Sequence, residues 1–306
     1  MFFLFAALSM MPAVQTQTST DPNRLAIGLP GEATVQVGQL YDLRSNRPAT
    51  MADFVRSCAR KRWVFLGENH ATTAHQEMEA QVISALVGAG RKTAVGLEMY
   101  QRPKQSWLDL WSSGGIDEPD FLTKSDWKGQ WGYDFSFYSP VFQAVRTSHL
   151  PLRGLNIPRD WVRTVARSGF EGLDADAKAQ LPPKMDLTNK LHRQVYDALI
   201  GGHPMGDAAS MDRMYAAQVL WDEAMADSAL KYMRQSGNAA QVFVVIAGSG
   251  HVLYHQGINW RVRTRGGGDG VTLVMIQSDA AATVSRGLAD FVYVSRAPSA
   301  EKADKG

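Results

Sequence analysis

The chain has 306 residues, 45% hydrophobic and 20% charged, the make-up of a globular protein with one large core or two modest ones. Its 32 basic and 30 acidic residues give a formal charge of +2 and are mixed along the sequence, with no lysine or arginine block to track a phosphate backbone, which argues against nucleic acid as a partner. A single cysteine, Cys58, excludes an intrachain disulfide, a thiolate zinc site and an iron–sulfur cluster.

The first twelve residues, MFFLFAALSMMP, are too few to span a bilayer and suit the apolar core of an export signal. A buried terminal strand or helix would leave the same pattern. Gln15 to Arg24 is rich in Thr, Gln, Ser, Asp and Pro and reads as a disordered lead-in. Residues 1–24 are therefore set apart from a main domain over 25–297, with a disordered tail over 298–306.

Short apolar runs predict buried parallel strands at Trp63 to Gly67, Thr93 to Leu97, Leu150 to Leu155 and Gln241 to Ala247, with further candidates at Gly270 to Gln277 and Asp290 to Ser295. Helical stretches at Ala74 to Val87 and Pro103 to Trp111 follow the first two at βα loop lengths. The expected fold is thus α/β, a mostly parallel sheet flanked by helices. A strand-free region, about 160–238, reads as a helical cap inserted over the sheet. Its longest helix, about Ala208 to Gln235, aligns Met211, Met214, Tyr215, Gln218, Asp222, Met225 and Ala229 on one face. Such a stripe is core in character, and Asp222 within it needs a partner. The aromatic run Trp127 to Phe142 either fills the junction between sheet and cap or lines a pocket for a flat ligand.

Each strand candidate ends on polar groups: Glu68, Asn69 and His70, then Glu98, then Asn156, then Ser249 and His251. In an open parallel sheet these carboxyl ends share one edge, where ligands bind. Any one of them could simply cap a helix or satisfy a buried amide. Two carboxylates and two histidines from separate strands, beside glycines, point instead to a functional cleft. His75 either looks back at this cleft or pairs with Glu79 one turn on as a surface pair. The turn Gly248-Ser249-Gly250-His251 lacks the Walker lysine, and no G-x-S-x-G elbow is present, so nucleotide binding and a serine nucleophile are disfavoured.

Taken together, GENH with His75 five residues after His70, LEMY, W-x-x-x-W-G-Y-D with Trp127, Trp131 and Tyr138, GLNIP, VLWDEAMA and GSGHV followed by Gly257-Ile258 resemble the ChaN-like haem-binding-uptake family. The likeness runs from about Phe54 to Arg263 and extends more distantly to Tiki and TraB proteins and erythromycin esterases. It implies export to the periplasm or outer membrane, a role in haem or iron uptake beside outer-membrane machinery, and haem held between the subunits of a homodimer by a tyrosine ligand. Members of that family are commonly lipoproteins, whereas no cysteine follows the apolar N-terminal run here.

Tyrosinate suits ferric iron as a hard anionic donor. Tyr138 is the first candidate ligand, Tyr254 the next, and His203 a possible ligand or propionate partner. The alternative is a hydrolase in which Glu68, His70, Glu98 and His251, with His75 and Asn156 nearby, either hold a divalent metal or activate water directly.

Overall fold

The computed structural model describes residues 20–201 and 206–298. The apolar segment at 1–12, the tail from 299 onward and His203 lie outside these described residues. Arg24 pairs with Glu32 at 2.9 Å, Asn23 accepts a backbone bond from Ser285, and Leu25 is buried.

Three short strands open the described residues, β1 (Glu32–Val35), β2 (Leu40–Asp42) and β3 (Arg47–Pro48), followed by helix α1 (Met51–Cys58). Thr50 and Asp53 cap each other at the start of α1. Then come β4 (Trp63–Glu68), α2 (Thr73–Gly88), β5 (Thr93–Gln101) and α3 (Gln105–Ser113). The aromatic region forms α4 (Glu118–Lys124), α5 (Trp127–Gln130) and α6 (Phe135–Thr147) ahead of β6 (Leu152–Asn156). Four helices separate β6 from the next strand: α7 (Arg159–Ser168), α8 (Ala175–Gln180), α9 (Lys190–Leu199) and α10 (Ala208–Met233). The chain closes with β7 (Val242–Gly248), α11 (Ile258–Val262), β8 (Val271–Ser278), β9 (Ala282–Ser285) and β10 (Phe291–Arg296).

The main sheet has eight strands in the order β3-β2-β10-β8-β4-β7-β5-β6, while β1 and β9 pair separately. From β10 to β6 all neighbours run parallel, and β2 and β3 add an antiparallel edge. The expected α/β fold with a mostly parallel sheet is what the chain adopts. The pattern reading located the six parallel strands to within a few residues and missed β1, β2, β3 and β9. Those four are two to four residues long, too short to display a buried run.

Strand β4 is buried along its whole length because both faces are covered. Trp63 and Phe65 turn into the core under α10 and α11, and Val64 and Leu66 into the core under α1, α2, α3 and α6. A third apolar cluster joins α7 to α10 through Val162, Val165, Ala217 and Leu220. This contact stands α7 and the first half of α10 up beyond the carboxyl ends of β5, β6 and β7.

Candidate functional site

The carboxyl ends of β4, β5, β6 and β7 converge as the strand pattern requires, and Glu68, Glu98, Asn156 and His251 are all buried there. His70 Nδ1 lies 2.7 Å from Glu68 Oε1, and the Gln76 side chain donates to the other Glu68 oxygen. Tyr138 accepts from the Ala71 amide at 3.0 Å and donates to Glu68 at 3.2 Å. A side chain at Gly248 would meet the His70 ring at 2.8 Å, so glycine lets β7 approach that imidazole.

Strand β5 shifts register between Leu97 and Gln101 where it pairs with β6, and Glu98 sits at that irregularity. Its Oε2 accepts the Gly248 amide at 2.7 Å and its Oε1 lies 3.4 Å from His251 Nε2. Asn156 donates to the Glu98 carbonyl at 3.1 Å and accepts from the Ile157 amide, which fixes the end of β6 against β5.

His251 is gripped from its other side by Asp222 Oδ1 at 2.5 Å, with the Gln218 amide 3.0 Å from the same Nδ1. Asp222 is the buried acid in the apolar stripe of α10, and its partners come from three elements. His192 of α9 lies 2.9 Å and Arg261 of α11 lies 3.2 Å from its second oxygen. Arg261 also faces Glu223, which Arg265 contacts too. A carboxylate that far from water persists as an anion only among such donors and cations.

These pairings shift the titrations. Burial works against charge on His251, yet Glu98 and Asp222 outweigh it and carry the imidazole up to about 10. Burial likewise opposes ionisation of Glu98, but His251, His70 and the Gly248 amide bring it down to about 2. Asp222 is lowered in the same way, chiefly by Arg261 and His251 against its burial. His70 is raised, Glu68 and Glu98 prevailing over burial. At neutral pH the cleft holds a cationic His251 clamped between two carboxylates.

Beside these groups opens a cavity of about 810 Å³, within the range of small-molecule and cofactor sites. His70, Glu98, Asn156 and His251 form its floor. Trp131, Tyr133, Tyr196, Met214 and Trp221 supply broad apolar walls, and Arg159 and Arg163 of α7 stand at its edge. Arg159 lies over the Trp131 ring at 5.9 Å.

Several expected residues fall elsewhere. Tyr138 is wholly buried, packed edge-on to Trp127 and Trp131, with its hydroxyl spent on Ala71 and Glu68. Tyr254 is buried in the other core, where its hydroxyl accepts the Leu25 amide at 2.8 Å. Neither phenol reaches the cavity. His75 does not face it either: Nδ1 accepts the Asn69 amide at 2.9 Å, Nε2 lies 2.9 Å from Ser295 Oγ, and burial pushes the ring down to about 4. Nor do His75 and Glu79 make a surface pair, since both are fully buried. Burial first, and then the Glu68 charge, raises Glu79 well above the ordinary carboxylate range.

The expectation that Glu68, His70, Glu98 and His251 hold a divalent metal is not supported. Among the described residues no group of three or more His, Cys, Asp or Glu side chains is placed to hold one. The reason is local: each carboxylate already faces a histidine, and both ring nitrogens of His251 face carboxylates.

Reading the sequence missed Tyr133, Tyr196, Trp221, Arg159 and Arg163 as cavity residues, and His192 and Arg261 as the support for Asp222. The aromatic run did signal Tyr133, but nothing in a dense run of rings says which of them turn outward. Asp222 stood out as an acid needing a partner, and its partners are His251, His192 and Arg261.

A family model described as "Haem-binding uptake, Tiki superfamily, ChaN" matches residues 54–262. Among solved structures, one titled "Cofacial heme binding to ChaN of Campylobacter jejuni" superposes with a TM-score of 0.65 at 17% identity, covering 85% of this chain and 96% of that one. The type III effector HopBA1 reaches a TM-score of 0.45 at 12% identity over 81% and 94% of the two chains. An erythromycin esterase, EreC, reaches 0.43 at 14% identity over 81% and 77%. No curated protein matches by sequence.

Proposed function

Because the chain belongs to the haem-binding uptake family of the Tiki superfamily, we propose that it binds haem in the cavity at the carboxyl edge of its sheet. One observation supports this most: the cavity joins flat apolar walls to a cationic rim. Trp131, Trp221, Tyr196 and Met214 offer faces and edges to a planar macrocycle. Arg159 and Arg163 are donors suited to propionates.

The iron ligand is Tyr133 in this reading. It lines the cavity, is 44% exposed, and lies on the loop between α5 and α6, next to Trp131. Bound haem would supply a ferric centre that prefers a phenolate, and the exposed Tyr133 hydroxyl is open to the cavity where buried Tyr138 is not. Burial, reinforced by the Glu68 charge, raises the Tyr138 phenol far above its ordinary value.

Export, and participation in haem or iron uptake beside outer-membrane machinery, are part of the same proposal. Among the described residues no helix is long and apolar enough to cross a membrane. The structure titled for cofacial haem motivates a homodimer, with two cavities facing each other. Hemin titration followed by size exclusion tests ligand and assembly together. A saturable Soret shift lost in Tyr133→Phe supports the proposal, and no saturable shift refutes it.

Hydrolysis is a second reading, favoured by the meeting of two carboxylate–histidine pairs, Glu68–His70 and Asp222–His251, at one cleft. His251 is already protonated at neutral pH and would stabilise a developing anion, not remove a proton. His70, partly open to the cavity and held by Glu68, would act as the base above its raised titration point. Ester or peptide turnover abolished by Glu68→Gln would support this reading, and the absence of turnover would remove it.

A further inference from the structure

A smaller cavity of about 270 Å³ lies on the sheet near the amino ends of β4 and β8 and shares no lining residue with the haem cleft. Three basic side chains reach it from separate connections: Lys61 ahead of β4, Arg44 between β2 and β3, and Arg263 after α11. Arg44 lies 3.4 Å from Asp290, whose other oxygen accepts the Thr272 amide at 2.9 Å. Among the described residues, Lys61 and Arg263 have no carboxylate within 4 Å. The remaining acid on the wall is Asp269. Lys61 and Arg263 therefore face one small polar space, which they share with Asp269.

The backbone that forms its far wall is unusual. Tyr254 and His255 are consecutive non-glycine residues in the left-handed region, with φ of 53° and 57°. Such residues persist only when their surroundings fix them, and they gather at binding sites. Here the Tyr254 amide donates to Leu288 and its hydroxyl accepts from Leu25, so the turn is held from both sides. The turn places the His255 ring in the cavity wall, with Nδ1 3.2 Å from Thr272 Oγ1 and Nε2 without a partner among the described residues. The Asn259 amide, donating to the Val252 carbonyl at 2.8 Å, braces the same turn.

We propose that this cavity is a second ligand site, taking a small oxyanion of the phosphate or dicarboxylate kind between Lys61 and Arg263 with the His255 ring as a third donor. Two cations and an imidazole converging on a space of this size suit a compact anion and not an extended one. The site is independent of haem, since the lining residues of the two cavities are disjoint.

Calorimetric titration with sodium phosphate, and separately with sodium malonate at matched ionic strength, tests it. Saturable binding of either anion is expected, and the anion that saturates identifies the class. The Lys61→Gln/Arg263→Gln double variant, Arg263 being exposed and Lys61 half-buried, should weaken binding about tenfold or more while leaving hemin titration unchanged. Binding should also move the ring resonances of His255 in the unmodified protein. No saturable binding of either anion at millimolar concentration, unchanged affinity in the double variant, or an unmoved His255 signal would each overturn the proposal.

Discussion

Asp222 of the longest helix holds His251 through Nδ1 at 2.5 Å, from 29 residues away in the chain. Glu98 faces the opposite nitrogen, so the imidazole is charged on both edges. Much of the chemistry of the cleft follows from that clamp.

Asp222→Asn should bring His251 down from about 10 toward its ordinary range, read by NMR titration of the ring. The same change leaves buried Arg261 without one of its acids, and a broken buried pair costs about 3–5 kcal/mol in urea unfolding. A His251 titration that stays near 10 in the variant would show that Glu98 alone sets it.

Stability should fall at alkaline pH. The folded value for His251, about 10, lies above its ordinary 6.5, so its contribution is complete below 6.5 and is lost as pH rises through 10. The urea midpoint should decline across that interval, and His251→Gln should flatten the decline. Glu98 works in the other direction: lowered from 4.5 to about 2, it contributes above 4.5 and loses that contribution as pH falls through 2.

His75 adds an acid limb of its own. Its folded value, about 4, lies below 6.5, so the neutral buried ring contributes above 6.5 and loses its contribution as pH falls toward 4. His75→Gln should lower overall stability through the lost bond to Asn69 and remove most of the slope between pH 6.5 and 4. An unchanged slope would mean that other groups carry it.

Tyr138→Phe and Tyr133→Phe should separate structure from ligation. Removing the Tyr138 hydroxyl strands the Ala71 amide and should cost about 1–3 kcal/mol of stability with no change in the hemin spectrum. Removing the Tyr133 hydroxyl should alter the Soret band and leave the unfolding midpoint nearly unchanged. The reverse pattern would return Tyr138 to the iron.

The parts of this architecture that the sequence displayed are those whose pattern is set by burial on both faces. Strands β4, β5, β6 and β7 are apolar runs ended by polar residues, and the polar ends name the cleft directly: Glu68, Glu98, Asn156 and His251. Strands β1, β2, β3 and β9 are too brief for any period to show. The support behind the cleft was half visible. Asp222 stood out as an acid in an apolar stripe, but His192 and Arg261 lie on other helices, and only tertiary packing brings them to it. The placement of the tyrosines was hidden for a similar reason: Tyr133 and Tyr138 lie five residues apart in one aromatic run, and the start of α6 turns one toward solvent and the other into the core.

Hemin titration of the purified protein, read by absorbance and by size exclusion, tests the central claim most directly. The account expects saturable binding, a Soret band consistent with phenolate ligation, and a several-fold loss of affinity in Trp131→Ala from lost ring contact of about 0.5–1.5 kcal/mol. No saturable Soret shift, or binding untouched by both Tyr133→Phe and Trp131→Ala, would contradict it.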